Sequence, residues 1–141
     1  MLAAAGSPDA DPHAASSSED RARWQHDLAN FNQDLVTLQA FFLDVVDRRL
    51  RGKDKIDEKA FTFFGVQGPW YTVGYKMAVV IEKRYGRKAL IECMLDPREL
   101  LSGYNRAAEK MNGNGENHER LALWSAELIE KIGMRQASSQ P

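Results

Sequence analysis

Gly65-Val66-Gln67-Gly68-Pro69-Trp70-Tyr71-Thr72-Val73-Gly74-Tyr75-Lys76-Met77-Ala78-Val79-Val80-Ile81-Glu82-Lys83-Arg84-Tyr85-Gly86 is the stretch that decides the fold. Gly68 and Pro69 suit the N-cap and first position of a helix, because proline has a preset φ and lacks only an N–H that would be an orphan there. Gly86 suits the C′ position at the other end. The helix predicted between them, of roughly 17 residues, is apolar on more than one face. Trp70, Val73, Met77 and Ile81 make one stripe, and Tyr71, Ala78 and Tyr85 part of another. A helix patterned in this way is central, buried on several sides.

Downstream, residues 88–95 read as a short apolar helix through Ala89, Leu90, Ile91, Met94 and Leu95. Cys93 within it reads as a small buried hydrophobe, since no histidine is near in sequence. Asp96-Pro97-Arg98-Glu99 is a helix start, with Asp at the N-cap, Pro at N1 and Glu at N3. Leu100, Leu101, Tyr104, Ala107, Ala108 and Met111 follow at helical spacing, and Gly113-Asn114-Gly115 is a turn. Asn117 is placed to cap a last helix whose buried stripe is Leu121, Trp124, Leu128 and Ile132, with Gly133 as its stop.

Upstream, Phe61, Phe63 and Phe64 cluster ahead of the central helix, on a short helix predicted to be capped by Asp57. Gly52 ends the element before it, and Lys53-Asp54-Lys55 reads as a solvated connection. That earlier element is predicted to be one long helix from about residue 19 to about Leu50. Its seam is Trp24, Leu28, Phe31, Leu35, Leu38, Phe42 and Val45, and Ser16 to Ser18 with Glu19-Asp20 supply its N-cap and acidic first turn. The seam can close on the chain's own helices or on a partner; about three heptads with two Phe at core positions favour self-packing. Residues 1–18 are expected to be a disordered or loop-like leader and 134–141 a disordered tail, leaving 19–133 as a single helical domain. The predicted fold is all-α, a bundle of about three long and three short helices.

The 141 residues carry 19 basic and 20 acidic side chains, a net charge of −1, so no chain-wide field draws DNA, RNA or an anionic membrane. Nucleic acid and membrane are therefore not expected as partners. The basic knot Lys83, Arg84, Arg87 and Lys88 has a simpler cause in the helix dipole. One cysteine excludes an intrachain disulfide and any multi-cysteine zinc site. Met1-Leu2-Ala3-Ala4-Ala5-Gly6 lacks the basic and long apolar parts of a signal peptide, and no stretch is long and apolar enough to span a membrane. Compartment is left open.

Chemistry is sparse. His13, His26 and His118 lie in separate segments, and His118-Glu119 begins like His-Glu-x-x-His but meets Ala122 where the second histidine belongs. Phosphate-loop and nucleophile-elbow motifs are absent. Glu82 and Glu92 read as members of solvated helix faces. Tyr71, in the first turn of the central helix between Gly68 and Gly74, has two readings, a hydroxyl presented into a cleft or core packing, and spacing alone favours core packing.

The run Trp70 to Ala78, then Ile81-Glu82, Gly86, Leu100-Leu101 and Tyr104-Asn105, resembles the segment after the zinc site in gluzincin-type metallopeptidases. It looks closest to helical bacterial zinc-dependent peptidases, and its Tyr-x-x-Gly outline is similar to aminopeptidases of the aminopeptidase N type. The resemblance covers roughly residues 60–110 and implies that Tyr71 donates a hydrogen bond to the oxyanion formed in peptide hydrolysis. It further implies that Gly68, Trp70, Gly74 and Tyr75 line the substrate side. The zinc ligands of such enzymes, His-Glu-x-x-His and a later Glu, have no counterpart here. The expectation is therefore no cofactor in this chain and zinc in full-length relatives. The chain is expected to be the C-terminal helical portion of such a peptidase, inactive alone, with the missing N-terminal zinc-binding domain as its partner and peptide as substrate in that context. The alternative is a helical interaction module using the Trp24 to Val45 seam.

Overall fold

The computed structural model describes residues 10–64, 68–115 and 119–137, with the main chain only at 97 and 134–137. Six helices make up the described part: α1 (Ser18–Ala29), α2 (Phe31–Val46), α3 (Lys53–Phe61), α4 (Pro69–Leu95), α5 (Pro97–Gly113) and α6 (Ala126–Ala137). Among the described residues there is no strand, and the fold is an all-α bundle as the sequence predicts. Gly65, Val66, Gln67, Glu116, Asn117 and His118 lie outside the described residues, as do the first nine and last four.

The N-terminal half of α4 is the hub. Val73, Met77, Ala78, Val79, Val80 and Ile81 are all buried, so the helix touches neighbours around most of its circumference. It packs on α5, α2 and α1, and α6 closes the bundle against α2 and α5. One continuous core joins Phe31, Leu35, Leu38 and Phe41 of α2 to these residues and to Tyr104, Ala107 and Ala108 of α5. From Phe31 to Val45 the seam read from the sequence packs into or against this core.

Several boundaries differ from the pattern. The long first helix is two helices, interrupted at Asn30, whose N–H is shared between the carbonyls of His26 and Asp27. The break gives the two halves separate duties. Trp24 of α1 packs on His13 and Tyr75 with ring centroids 4.7 and 5.0 Å away, whereas Phe31 onward enters the main core. Beyond the break Phe41, not Phe42, is the fully buried ring. Residues 10–17, read as leader, form a turn over Trp24, with the Tyr75 hydroxyl donating to the carbonyl of Ala10. Gly52 does not end the preceding helix: at φ +87° it is the N-cap of α3, which takes in Lys53-Asp54-Lys55 and begins four residues before Asp57.

Gly68 and Pro69 open α4 as predicted. Gly86 breaks it with φ 82° and ψ 167°, and the chain resumes helix at once, through Leu95. Tyr71 and Tyr85 do not belong to a buried stripe; they are 40% and 37% exposed. Glu82, expected in solvent, is 8% exposed, with one carboxylate oxygen accepting from Arg87 Nε at 2.7 Å across the Gly86 break. Glu92 is exposed and pairs with Lys88. Asp96 caps α5 by accepting from the Arg98 N–H.

The largest departure lies at the C-terminus. Leu121 and Trp124 are buried, but residues 120–125 are not helical; α6 starts only at Ala126 and runs through Gly133 to Ala137. The segment 120–125 instead forms a strap between α2 and α5. Its main chain is bonded to side chains. Asn112 forks onto Leu121, donating to its carbonyl at 3.0 Å and accepting from its N–H at 2.8 Å. Asn105 does the same to Trp124, at 2.8 and 3.0 Å. Asn32 donates to the carbonyl of Arg120 and accepts from the N–H of Ala122, Gln39 accepts from the N–H of Ser125, and Tyr104 donates to the carbonyl of Ala122 at 2.6 Å. These side chains satisfy the polar main chain that helix or sheet would otherwise pair.

Candidate functional site

The start of α4 is fixed by close approach to the end of α3. Gly68 N–H donates to the carbonyl of Phe64 at 2.7 Å, and the Trp70 indole donates to the carbonyl of Ala60 at 2.9 Å. A Cβ at Gly68 would stand 2.3 Å from the Phe63 carbonyl oxygen, which only main-chain movement relieves. Glycine is required there by space. Trp70 is then wedged among Phe41, Phe42, Phe63 and Phe64, with ring centroids between 5.6 and 6.2 Å away. This aromatic packing sets the azimuth of the helix and with it the direction of residues 71, 74, 75 and 78.

Those residues line a cleft of about 250 Å³, formed by Trp70, Tyr71, Gly74, Tyr75 and Ala78 on one side and Met94 and Leu100 on the other. Four of the five site residues read from the sequence therefore share one cavity. Gly68 does not line it and acts instead on the placement of the helix. At Gly74 nothing lies within 4 Å of where a Cβ would be, so the glycine leaves the floor open. The Tyr71 ring stands edge-on to Phe64, 6.1 Å between centroids, and among the described residues its hydroxyl has no hydrogen-bond partner. Tyr71, which spacing alone assigns to core packing, is instead exposed and lines the cleft. Tyr75 is held by Trp24 and the Ala10 carbonyl, and it forms a fixed wall. Lys76 beside it is partly buried, and desolvation together with Lys83 lowers its pKa.

Met94 and Leu100 carry no motif, and the sequence reading missed them. On a straight helix Met94 would lie roughly 35 Å from Tyr71. They share a cavity because α4 doubles back at Gly86. The Gly86-to-Asp96 connection thus supplies the second wall. The later tyrosine of the resemblance, Tyr104, is fully buried, bonded to the strap and far from ionising, its pKa pushed up by desolvation. It is a structural residue and takes no part in the cleft.

The cleft is an apolar cavity with one outward phenol, able to hold an apolar group and to donate one hydrogen bond beside it. Its lining holds no imidazole, thiol or carboxylate. Among the described residues no three His, Cys, Asp or Glu side chains converge on a point where a metal ion could sit. His118 lies outside the described residues, and His13 and His26 are apart from the cleft. The donor set on view does not fit a zinc ion. No helix among the described residues is long and apolar enough to cross a membrane.

An all-α chain with a tyrosine-bearing apolar cleft at the N-terminus of its central helix is the class defined by this geometry. The chain belongs to the family described as putative zinc dependent peptidase (DUF5700), which it matches over residues 1–113. No curated protein and no solved structure matches it.

Proposed function

We propose that this chain is the C-terminal helical portion of a zinc-dependent peptidase, forming one wall of the substrate cleft and inactive by itself. The observation that carries the reading is the cleft that gathers Trp70, Tyr71, Gly74 and Tyr75 in a chain of this family. Tyr71 is the catalytic residue on this side. Its hydroxyl, without a hydrogen-bond partner among the described residues and exposed, donates to the oxygen of the scissile carbonyl as negative charge builds on it, and this preorganised donor acts in surroundings that are mainly apolar. Trp70, Gly74 and Tyr75 bound the space beside it that receives the peptide. Since the described donors do not fit zinc, the metal ligands are assigned to a separate N-terminal domain that packs against this one.

The test has two parts. The reading frame upstream of Met1 should encode a domain with His-Glu-x-x-His; non-coding sequence there would remove the main support. In the assembled protein, Tyr71→Phe should lower kcat on a fluorogenic peptide by about 10²-fold, with zinc content and melting temperature unchanged. Unaltered turnover would rule out the role given to Tyr71.

A further inference from the structure

The strap 120–125 is bound like a ligand. Its eight main-chain hydrogen bonds to Asn32, Gln39, Tyr104, Asn105 and Asn112 all cross to α2 and α5. Apart from Ser125, whose hydroxyl and carbonyl accept from the N–H groups of Leu128 and Ile129 at the start of α6, the segment has no secondary structure of its own, and its main chain is held by the groove. Recognition of this kind follows the logic of strand addition to a sheet edge, with side-chain amides in place of the edge. Specificity resides in the side chains that enter the core: Leu121, Trp124 and, at the start of α6, Leu128. The Lys131 ammonium adds an ion pair to Asp47 at 2.6 Å. Every groove residue lies within the part of the chain that matches the family, and the occupant follows it.

Two features lower the barrier to release. A short connection beginning with Asn114 and Gly115, the latter at φ +66°, is the only covalent link between groove and arm. The indole N–H of Trp124 is buried without a partner and gains one in water, so the arm is held less tightly than its burial suggests. We infer that α2 and α5 form a receptor groove for the 120–125 strap and the α6 helix that follows it, that residues 119–137 are a separable arm seated in it, and that the groove accepts the same arm from a second copy of the chain. This assignment is argued apart from the peptidase reading, because none of the five groove residues that bond the strap lines the Tyr71 cleft.

The experiment uses the full chain with a protease site inserted after Gly115 and cut after folding. A fluorescent synthetic peptide of residues 119–137 is then added, so the receptor stays wild type and every change is made in the peptide. The nicked protein should stay associated, and the peptide should replace the resident arm faster than the receptor unfolds globally, as read by far-UV circular dichroism in denaturant. Trp124→Ala in the peptide should weaken binding at least about 100-fold, while Ala122→Ser should change it by less than about 3-fold. Dissociation of the nicked protein on cutting, exchange only at the global unfolding rate, or equal losses from the two peptide substitutions would each overturn the inference.

Discussion

Asn105→Leu removes one fork while keeping the side chain's size, and its cost can be worked from the two bonds it breaks. Asn105 donates to the Trp124 carbonyl at 2.8 Å and accepts from the Trp124 N–H at 3.0 Å. Each bond contributes about 1 kcal/mol net, and each main-chain group left behind adds a desolvation cost of about 1–3 kcal/mol when no water can replace the partner. Asn105 is half-buried, so water reaches part of the gap and the desolvation cost is only partly felt. The expected loss is about 2–4 kcal/mol. Urea unfolding followed by circular dichroism measures it, with the denaturant slope unchanged. Hydrogen exchange locates it: the Trp124 amide, protected in the wild type although outside any helix, should exchange much faster in the variant, and the Leu121 amide on Asn112 should change less. A loss below about 0.5 kcal/mol with Trp124 still protected would refute the view that the amide forks, more than the apolar anchors, dictate the shape of the strap.

Three further outcomes follow from the same structure. Gly86→Ala should cost about 1–2 kcal/mol, because φ +82° is strained for any residue with a Cβ although space there is open; an unchanged melting temperature would contradict the sharp turn. Arg87→Met leaves the Glu82 carboxylate, only 7% exposed, without its partner and should lose about 2–4 kcal/mol, with much of that recovered in the Glu82→Gln/Arg87→Met double variant. Asp96 is held down to about 2 from 3.8 by the Arg98 guanidinium and N–H. A depressed carboxylate stabilises the fold above its unfolded pKa, so its contribution is full above about pH 4 and is lost as the pH falls through about 2. Melting temperatures of wild type and Asp96→Asn should therefore converge in that window, and parallel curves would exclude the linkage.

The helical class was legible because it is written in local chemistry. Gly68-Pro69 and Asp96-Pro97 start helices through their own backbone preferences, and the tertiary fold confirms them. Trp70, Tyr71, Gly74 and Tyr75 follow one another within two turns, so fixing one helix places all four. Met94 and Leu100 were hidden because only the reversal at Gly86 brings them across. The strap was misread for another reason. Leu121, Trp124, Leu128 and Ile132 keep a spacing of three and four, which is the helical signature. Residues 121 and 124 lie outside any helix, and both are buried because the strap is bonded between α2 and α5. Its partners Asn32, Gln39, Asn105 and Asn112 look like ordinary polar faces in sequence, since nothing local marks an amide that will bind a backbone 90 or 86 residues away, as Asn32 and Gln39 do. Glu82 was misplaced similarly: its neighbours are basic, but its counter-ion lies beyond the glycine and pulls it under.

The reversal at Gly86 also makes α4 a mechanical part. The stretch from Arg87 to Met94 is a stiff arm of roughly 12 Å pivoting on a single residue, so a rotation of about 10° at that residue swings Met94 by roughly 2 Å. That displacement is about half the width of a methyl group, at a residue that lines the cavity of about 250 Å³. The ion pair between Glu82 and Arg87 spans the pivot like a strut. The wall that Met94 gives the cleft is therefore set by one torsional joint and by the ion pair that spans it.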